Sequence, residues 1–507
     1  MRIFGLCAIL LATPLAAQDV EPMPEPAKDY ASLSNTQLVI EARSLDDDSP
    51  DCEVVLPLYR ELDRRRPGTQ ALERQILLSD LLCSNDRRDW TNSLRLIGEL
   101  KAAGIDLEPG YTLQFAYLAK DGDAILYWLE KVLLEGDEST YRDFDVQTYW
   151  YAKNTAKELG LEDQVRRLAA KTVRSDHFEL FQSKLRETLA FDAFQLAVDE
   201  GDTEVAQKLL SEFNSPDVYQ TLLIDRQYEE FWPRIEARAG PEMEIVIAEY
   251  RDAKVAAFEA DPEDNQLLSD AAHALFFAGD YERLIAMIDR SLDRPDLEST
   301  LTEDEAWALN IKAYALDALE RTQEADEVFD FLARVGDSQD WGANFVINRA
   351  SRLIGQSRWQ EGLAATQLAE SVAKNFGTDY AKMLIALNQV CALHALGRSD
   401  DVAPHLQFLL ENKEKRASLA AIALLCLGRE DEASKLVLDA LRDESQRETM
   451  ISALQPSVTD LFYTPSNLPE VSDLLERRPE LQAEFDKQAR QLPQRLWPRA
   501  AADRPRK

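Results

Sequence analysis

The fold is decided by Asp261-Pro262-Glu263-Asp264-Asn265-Gln266-Leu267-Leu268-Ser269-Asp270-Ala271-Ala272-His273-Ala274-Leu275-Phe276-Phe277-Ala278-Gly279-Asp280-Tyr281-Glu282-Arg283-Leu284-Ile285. Two runs with apolar residues at helical spacing flank a Gly-Asp turn. Glycine can end the first helix in the left-handed conformation. Acidic residues suit the positive start of the second helix. One helical hairpin is therefore predicted, reversing at Gly279.

Working outward, the same texture repeats from about Leu33 onward, with almost no strand-like alternation. Comparable turns occur at Asp121-Gly122-Asp123, Leu159-Gly160-Leu161, Glu200-Gly201-Asp202, Leu319-Glu320-Arg321, Gly355-Gln356-Ser357-Arg358-Trp359, Leu396-Gly397-Arg398 and Leu427-Gly428-Arg429. Gly122 and Gly160 are 38 residues apart, Gly160 and Gly201 41, and Gly397 and Gly428 31. The interval from Gly201 to Gly279 is 78 residues and holds a further hairpin turning near Arg226-Gln227-Tyr228. Two helices with their turns fill such a period, the size of one solenoid unit.

The segment from Asp261-Pro262 through Ala271-Ala272, Ala278-Gly279-Asp280-Tyr281-Glu282 and Ile285 resembles a tetratricopeptide repeat. So do Leu396-Gly397-Arg398-Ser399-Asp400-Asp401-Val402 and Leu427-Gly428-Arg429-Glu430-Asp431-Glu432-Ala433, and, more faintly, Leu319-Glu320-Arg321-Thr322-Gln323-Glu324-Ala325. The repeats are degenerate, with unit lengths departing from the family's regular period of about 34. The resemblance implies an all-α solenoid of helix-turn-helix repeats whose first helices line a concave side, where a protein or peptide partner docks. The expected organisation is a signal peptide over 1–17, a flexible linker over 18–32, and an N-terminal helical cap over 33–105. A repeat array follows over 106–445, with an irregular break near 213–262, then a C-terminal helical cap and basic tail over 446–507.

The 507 residues include 92 Asp and Glu against 57 Lys and Arg, a formal charge of −35. That balance repels nucleic-acid phosphates and anionic lipid surfaces. With only 18 glycines and 21 prolines, turn-rich all-β folds are disfavoured. Arg2, the apolar run Ile3–Ala12 and Leu15-Ala16-Ala17 before Gln18 read as a secretory signal cleaved after Ala17. No later segment has the about 18 consecutive apolar residues that a membrane span needs. The expected location is the periplasm. Cleavage removes Cys7 and leaves Cys52, Cys83, Cys391 and Cys426, which allow three disulfide pairings. Cys52–Cys83 with Cys391–Cys426 asks least of the geometry, each bridge contributing about 3 kcal/mol. Buried thiols are the alternative.

No phosphate-binding, nucleophile-elbow or zinc-protease motif is found. His177, His273, His394 and His405 form no nucleophile–base arrangement. Cys391 and His394 share a helical face, but an oxidising compartment explains that cysteine more simply as half of a bridge. Asp46-Asp47-Asp48 with Asp51 lacks the spaced ligands of a calcium loop. Catalytic residues, metal ligands and cofactors are therefore not assigned.

The sharpest local signal is Tyr149-Trp150-Tyr151. Three consecutive rings cannot share one core stripe at 3.6 residues per turn, so at least one faces outward. With Trp307 they are the candidate partner-binding residues. Phe276-Phe277 and Tyr314 are weaker companions. The basic ending, Arg495, Arg499, Arg504, Arg506 and Lys507, is a candidate for contact with anionic lipid or with the chain's own acidic groove. The leading expectation is a periplasmic scaffold that binds a protein or peptide without turnover. The alternatives are an enzyme acting on a glycan polymer through a carboxylate pair, whose carboxyls would lie about 5–9.5 Å apart, and a structural subunit of a cell-envelope complex.

Overall fold

The computed structural model describes residues 29–44, 52–336, 339–376, 378–461 and 465–498. The expected signal peptide, most of the linker, the Asp46–Asp51 cluster and the tail residues Arg499, Arg504, Arg506 and Lys507 lie outside the described residues. The structure is all-α. Among the described residues the sole β pairing is an isolated bridge between Asp225 and Ala489. No described helix is long and apolar enough to cross a membrane. The chain divides between Phe213 and Asn214 into two compact units.

The first unit is a succession of antiparallel hairpins. Asn35–Arg43 pairs with Cys52–Arg65, Gln70–Asp86 with Trp90–Ala102, and Pro109–Leu118 with Gly122–Leu134. Val146–Glu158 then pairs with Glu162–Val173, and Ser183–Asp199 with Thr203–Leu209. Each hairpin packs on its neighbour, so an apolar face that one hairpin cannot bury alone is covered by the next. Asp89, Asp121, Asp145 and Asp202 cap second or first helices by accepting a backbone N–H three residues on. Residues 29–32, assigned to the flexible linker from sequence, are structured, with a 3-10 turn over Tyr30–Ser32. Tyr30 is buried with Leu38 and Leu58. The Arg65 guanidinium donates to the Leu33 carbonyl at 2.7 Å and the Ala31 carbonyl at 2.9 Å, satisfying this turn. The Cys52–Cys83 disulfide joins consecutive helices here.

The second unit opens with Pro216–Ile224 and Trp232–Ala239, joined through the 3-10 turn Arg226–Phe231. The hairpins that follow reverse at Gly279, Glu320, Ser357, Gly397 and Gly428. First helices are buried almost all round: Asp379–Ala395 buries Met383, Ile385, Ala386, Leu387, Val390 and Cys391. Second helices bury one stripe, as Leu284, Ile285 and Ile288 do on Tyr281–Ser291. The Cys391–Cys426 disulfide ties the first helices of adjacent hairpins.

Every one of these reversals uses one pair of backbone bonds. At Gly428, the Arg429 N–H donates to the Leu424 carbonyl at 2.9 Å and the Gly428 N–H to Leu425 at 3.0 Å. This is the Schellman pattern, with one residue left-handed. Gly160, Gly201, Gly279, Gly397 and Gly428 supply that residue, with φ between 68° and 73°. Gly122 does not, and its expected role is corrected. Lys120 takes the left-handed conformation (φ 53°), while Gly122 opens the following helix. A Cβ on Gly122 would lie 2.5 Å from the Leu161 side chain, so glycine serves close packing of the next hairpin's turn there.

After Glu444–Ala453 the chain does not simply end the stack. Residues 454–461 and 465–498 lie as a strap across their own unit. Leu461 enters the apolar cluster that includes Phe276, Leu309 and Phe345. The Asn467 N–H donates to the Gly355 carbonyl at 2.6 Å. Arg478 pairs with Glu430 at 3.1 Å and Asp431 at 2.7 Å. Arg490 then closes onto the unit's first helices. Its backbone N–H donates to Ile224 at 2.8 Å, its Nε to the Leu223 carbonyl at 2.7 Å, and its Nη2 to Glu236 at 2.9 Å. Its guanidinium lies 3.5 Å from the Trp232 ring centroid. Arg495, the one described residue of the basic ending singled out above, pairs with the other Glu236 oxygen at 2.8 Å.

Nothing lies within 4 Å of a Cβ built on Gly428. Gly428→Val is therefore expected to destabilise by backbone strain alone, about 1 kcal/mol. Glu320→Gly, at φ 60°, should cost nothing. Urea unfolding of the two variants checks the contrast. Arg490→Ala leaves Glu236 with Arg495 alone and removes the guanidinium that lies 3.5 Å from the Trp232 ring centroid. It should speed amide exchange across Pro216–Ile224 and Trp232–Ala239 by the equivalent of about 2 kcal/mol. Unchanged protection there would show that the strap does not hold those helices.

Candidate recognition surface

The helix Val146–Glu158 divides its three consecutive rings as its period requires. Tyr149 points inward and is fully buried. Its hydroxyl donates to Asp192 at 2.6 Å, and the Lys153 ammonium pairs with the same carboxylate. Burial, reinforced by the Asp192 charge, pushes the Tyr149 hydroxyl well above its ordinary value. It therefore stays a donor, and the cluster pins this helix to Ser183–Asp199. Tyr149 is thus a packing and hydrogen-bonding residue with no exposed ring.

Trp150 and Tyr151 emerge on the other side, 54% and 42% exposed. Tyr151 stacks on Tyr117 of the neighbouring first helix Pro109–Leu118, with ring centroids 5.7 Å apart. Trp150 meets Tyr151 edge-on at 5.2 Å. Burial, then Tyr151 and Asp145, push the Tyr117 hydroxyl up to about 12. Asp145 starts the helix carrying Trp150 and accepts from the Thr148 N–H and hydroxyl, both at 2.8 Å. Leu118, next to Tyr117 in the chain, is also exposed, and Lys120 pairs with Glu158 of the ring-bearing helix at 2.8 Å. Sequence reasoning missed Tyr117. The available signal was its separation from Tyr151, 34 residues, within the range of the repeat period.

Trp307 belongs to the second unit. It is partly buried against the apolar core and packs on Phe345 with centroids 4.9 Å apart. The other residues weighed for chemistry have ordinary surroundings. His177 stacks on Tyr141 at 4.1 Å and its Nε2 lies 2.9 Å from the Leu133 carbonyl. His273 Nδ1 lies 2.9 Å from the Ser269 carbonyl of its own helix. His394 is exposed, and Cys391 beside it is disulfide-bonded, so no thiolate is present. Burial holds His405 below its ordinary value. Among the described residues no three His, Cys, Asp or Glu side chains are grouped to hold a metal ion.

Three described carboxyl groups, Asp199, Asp225 and Asp304, are raised above the usual carboxylate range, each chiefly by burial. Burial and the charges of Asp264, Asp270 and Glu305 raise Asp304 above the usual carboxylate range. Asp264 caps the helix Asn265–Phe277, and Asp270 is bound to Lys254 at 2.6 Å. These partners assign both to structure.

No protein-family model matches the chain, and no curated protein is significantly similar to it in sequence.

The raised Asp304 value has a definite consequence. The folded state holds this proton more tightly than the unfolded chain, so its ionisation lowers stability as pH rises from about 4 through the folded value. Asp304→Asn should raise the melting temperature at neutral pH, and the gain should disappear at pH below about 4. Melting curves across that range check the sign.

Proposed function

We propose that this chain is a periplasmic helical-repeat protein of the tetratricopeptide type that binds a protein or peptide partner without turnover. The observation carrying this reading is the exposed pair Trp150 and Tyr151, stacked with Tyr117 across two neighbouring first helices. Rings of this size left at the surface contribute a large contact area with little conformational entropy to lose, as interface anchors do. Tyr149, locked to Asp192, makes their platform rigid.

Two further facts support the reading. The leader-like residues 1–17 and the disulfides Cys52–Cys83 and Cys391–Cys426 suit an oxidising compartment. The second unit already accepts an extended segment, since its hairpin turn at Gly355 binds Asn467 through the main chain. A hairpin stack of this kind is able to hold extended polypeptide.

Site-specific photocrosslinking in the host periplasm tests the proposal. A photoreactive residue in place of Trp150 should trap one dominant protein. The same residue in place of Ile40, which is 61% exposed but outside the ring cluster, should not. Equal labelling from both positions, or no protein adduct, would overturn the reading.

A further inference from the structure

The other exposed aromatic rings among the described residues, Tyr127 and Tyr380, lie under cations of the chain itself. Tyr127 is 45% exposed and lies beneath Lys131 at 5.4 Å and Lys101 at 6.0 Å. Lys101 also stands 5.3 Å over Trp128. Tyr380 is 49% exposed and carries Arg416 at 5.3 Å. Trp150 and Tyr151 are exposed to the same degree, yet among the described residues no lysine or arginine stands over them or over Tyr117. The electron-rich faces of such rings attract cations, and more strongly where water is excluded.

The charge around the cluster has the matching sign. Asp145 caps the start of the helix that carries both exposed rings, and its charge acts on the Tyr117 hydroxyl. The whole chain carries −35, a field that draws cationic partners and repels anionic ones. The strap shows the arrangement completed within one molecule. There an extended segment delivers Arg490 onto the Trp232 face, with the Glu236 carboxylate and the Leu223 carbonyl taking its N–H groups.

We propose that the Tyr117–Trp150–Tyr151 cluster receives an arginine- or lysine-bearing extended segment of a partner protein, its cation seated on the Trp150 and Tyr151 rings near Asp145. This rests on reading the face as a protein-recognition surface and specifies the partner's chemistry.

The test titrates the full chain from Gln18 with a labelled peptide of alternating arginine and serine. The same peptide with citrulline at each arginine keeps the side chain's shape but loses its charge, a carbonyl acceptor replacing one NH2 donor. The arginine peptide should bind about tenfold more tightly than the citrulline peptide, and Trp150→Ala with Tyr151→Ala should weaken it about tenfold. Trp150→Phe with Tyr151→Phe, which keeps the rings, should retain most of the binding. Asp145→Asn, which keeps a capping side chain, should weaken it several-fold. Tyr127→Ala should leave it unchanged. No binding, equal affinity for citrulline, binding that survives loss of both rings, or displacement by a neutral oligosaccharide such as cellohexaose would each overturn the proposal. A protein trapped from position 150 together with indifference to citrulline would remove the cationic partner alone and leave the recognition reading in place.

Discussion

Everything in this protein depends on ending a helix and reversing the chain within three residues. The solution is one left-handed residue followed by two backbone hydrogen bonds onto the closing turn. It recurs from Lys120 and Gly160 in the first unit to Ser357, Gly397 and Gly428 in the second. Once the chain reverses so tightly, the two helices must run antiparallel and in contact. Small residues on the second helix, such as Ala325 and Ala433, are then fully buried. Each hairpin is left with apolar surface that only a neighbour can cover, and stacking follows. The two disulfides reinforce this local order, since each links helices already packed together.

A linear stack has exposed ends, where local opening costs least. In the second unit, the strap answers this by joining the opening helices to late turns. Arg490 reaches Leu223 and Glu236, more than 250 residues upstream, and Arg478 holds Glu430 and Asp431. Such contacts convert a chain of nearest-neighbour interactions into one with long-range closure. Burial opposes ionisation of Glu236, but hydrogen bonds from Arg495 and Arg490 outweigh it and hold the carboxyl below the usual range. The closure is therefore present at neutral pH and weakens as pH falls through the carboxylate range.

In the first unit one helix is both locked in rotation and ring-bearing at the surface. Tyr149 and Lys153 share the buried Asp192, so the helix cannot rotate without exposing an unpaired charge. The rotation thus fixed presents Trp150 and Tyr151 to solvent. Tyr117 supports them from the adjacent helix at stacking distance. A rigid, ring-bearing face in a strongly acidic chain is suited to a cation more than to an anion.

Helical class, the compact turns and the outward facing of part of Tyr149-Trp150-Tyr151 were legible in the residues themselves, because they depend on local spacing and on the conformational freedom of particular residues. The turn at Gly122 was misread: a glycine reports that a Cβ is unwelcome, and only the packed Leu161 side chain tells why. The ordered turn at Tyr30 was equally hidden, because Arg65, far along the chain, donates to the carbonyls of Tyr30, Ala31 and Leu33. So was the path of the strap, whose prolines and short helices read only as a C-terminal cap until Glu236 and Trp232 are placed beneath Arg490. The sequence by itself determined helices, turns and which rings share a period. Which ring is buried, which cation covers which aromatic face, and where the C-terminal segment lies were decided only by tertiary structure, because each depends on partners brought together from distant helices and on the water those partners exclude.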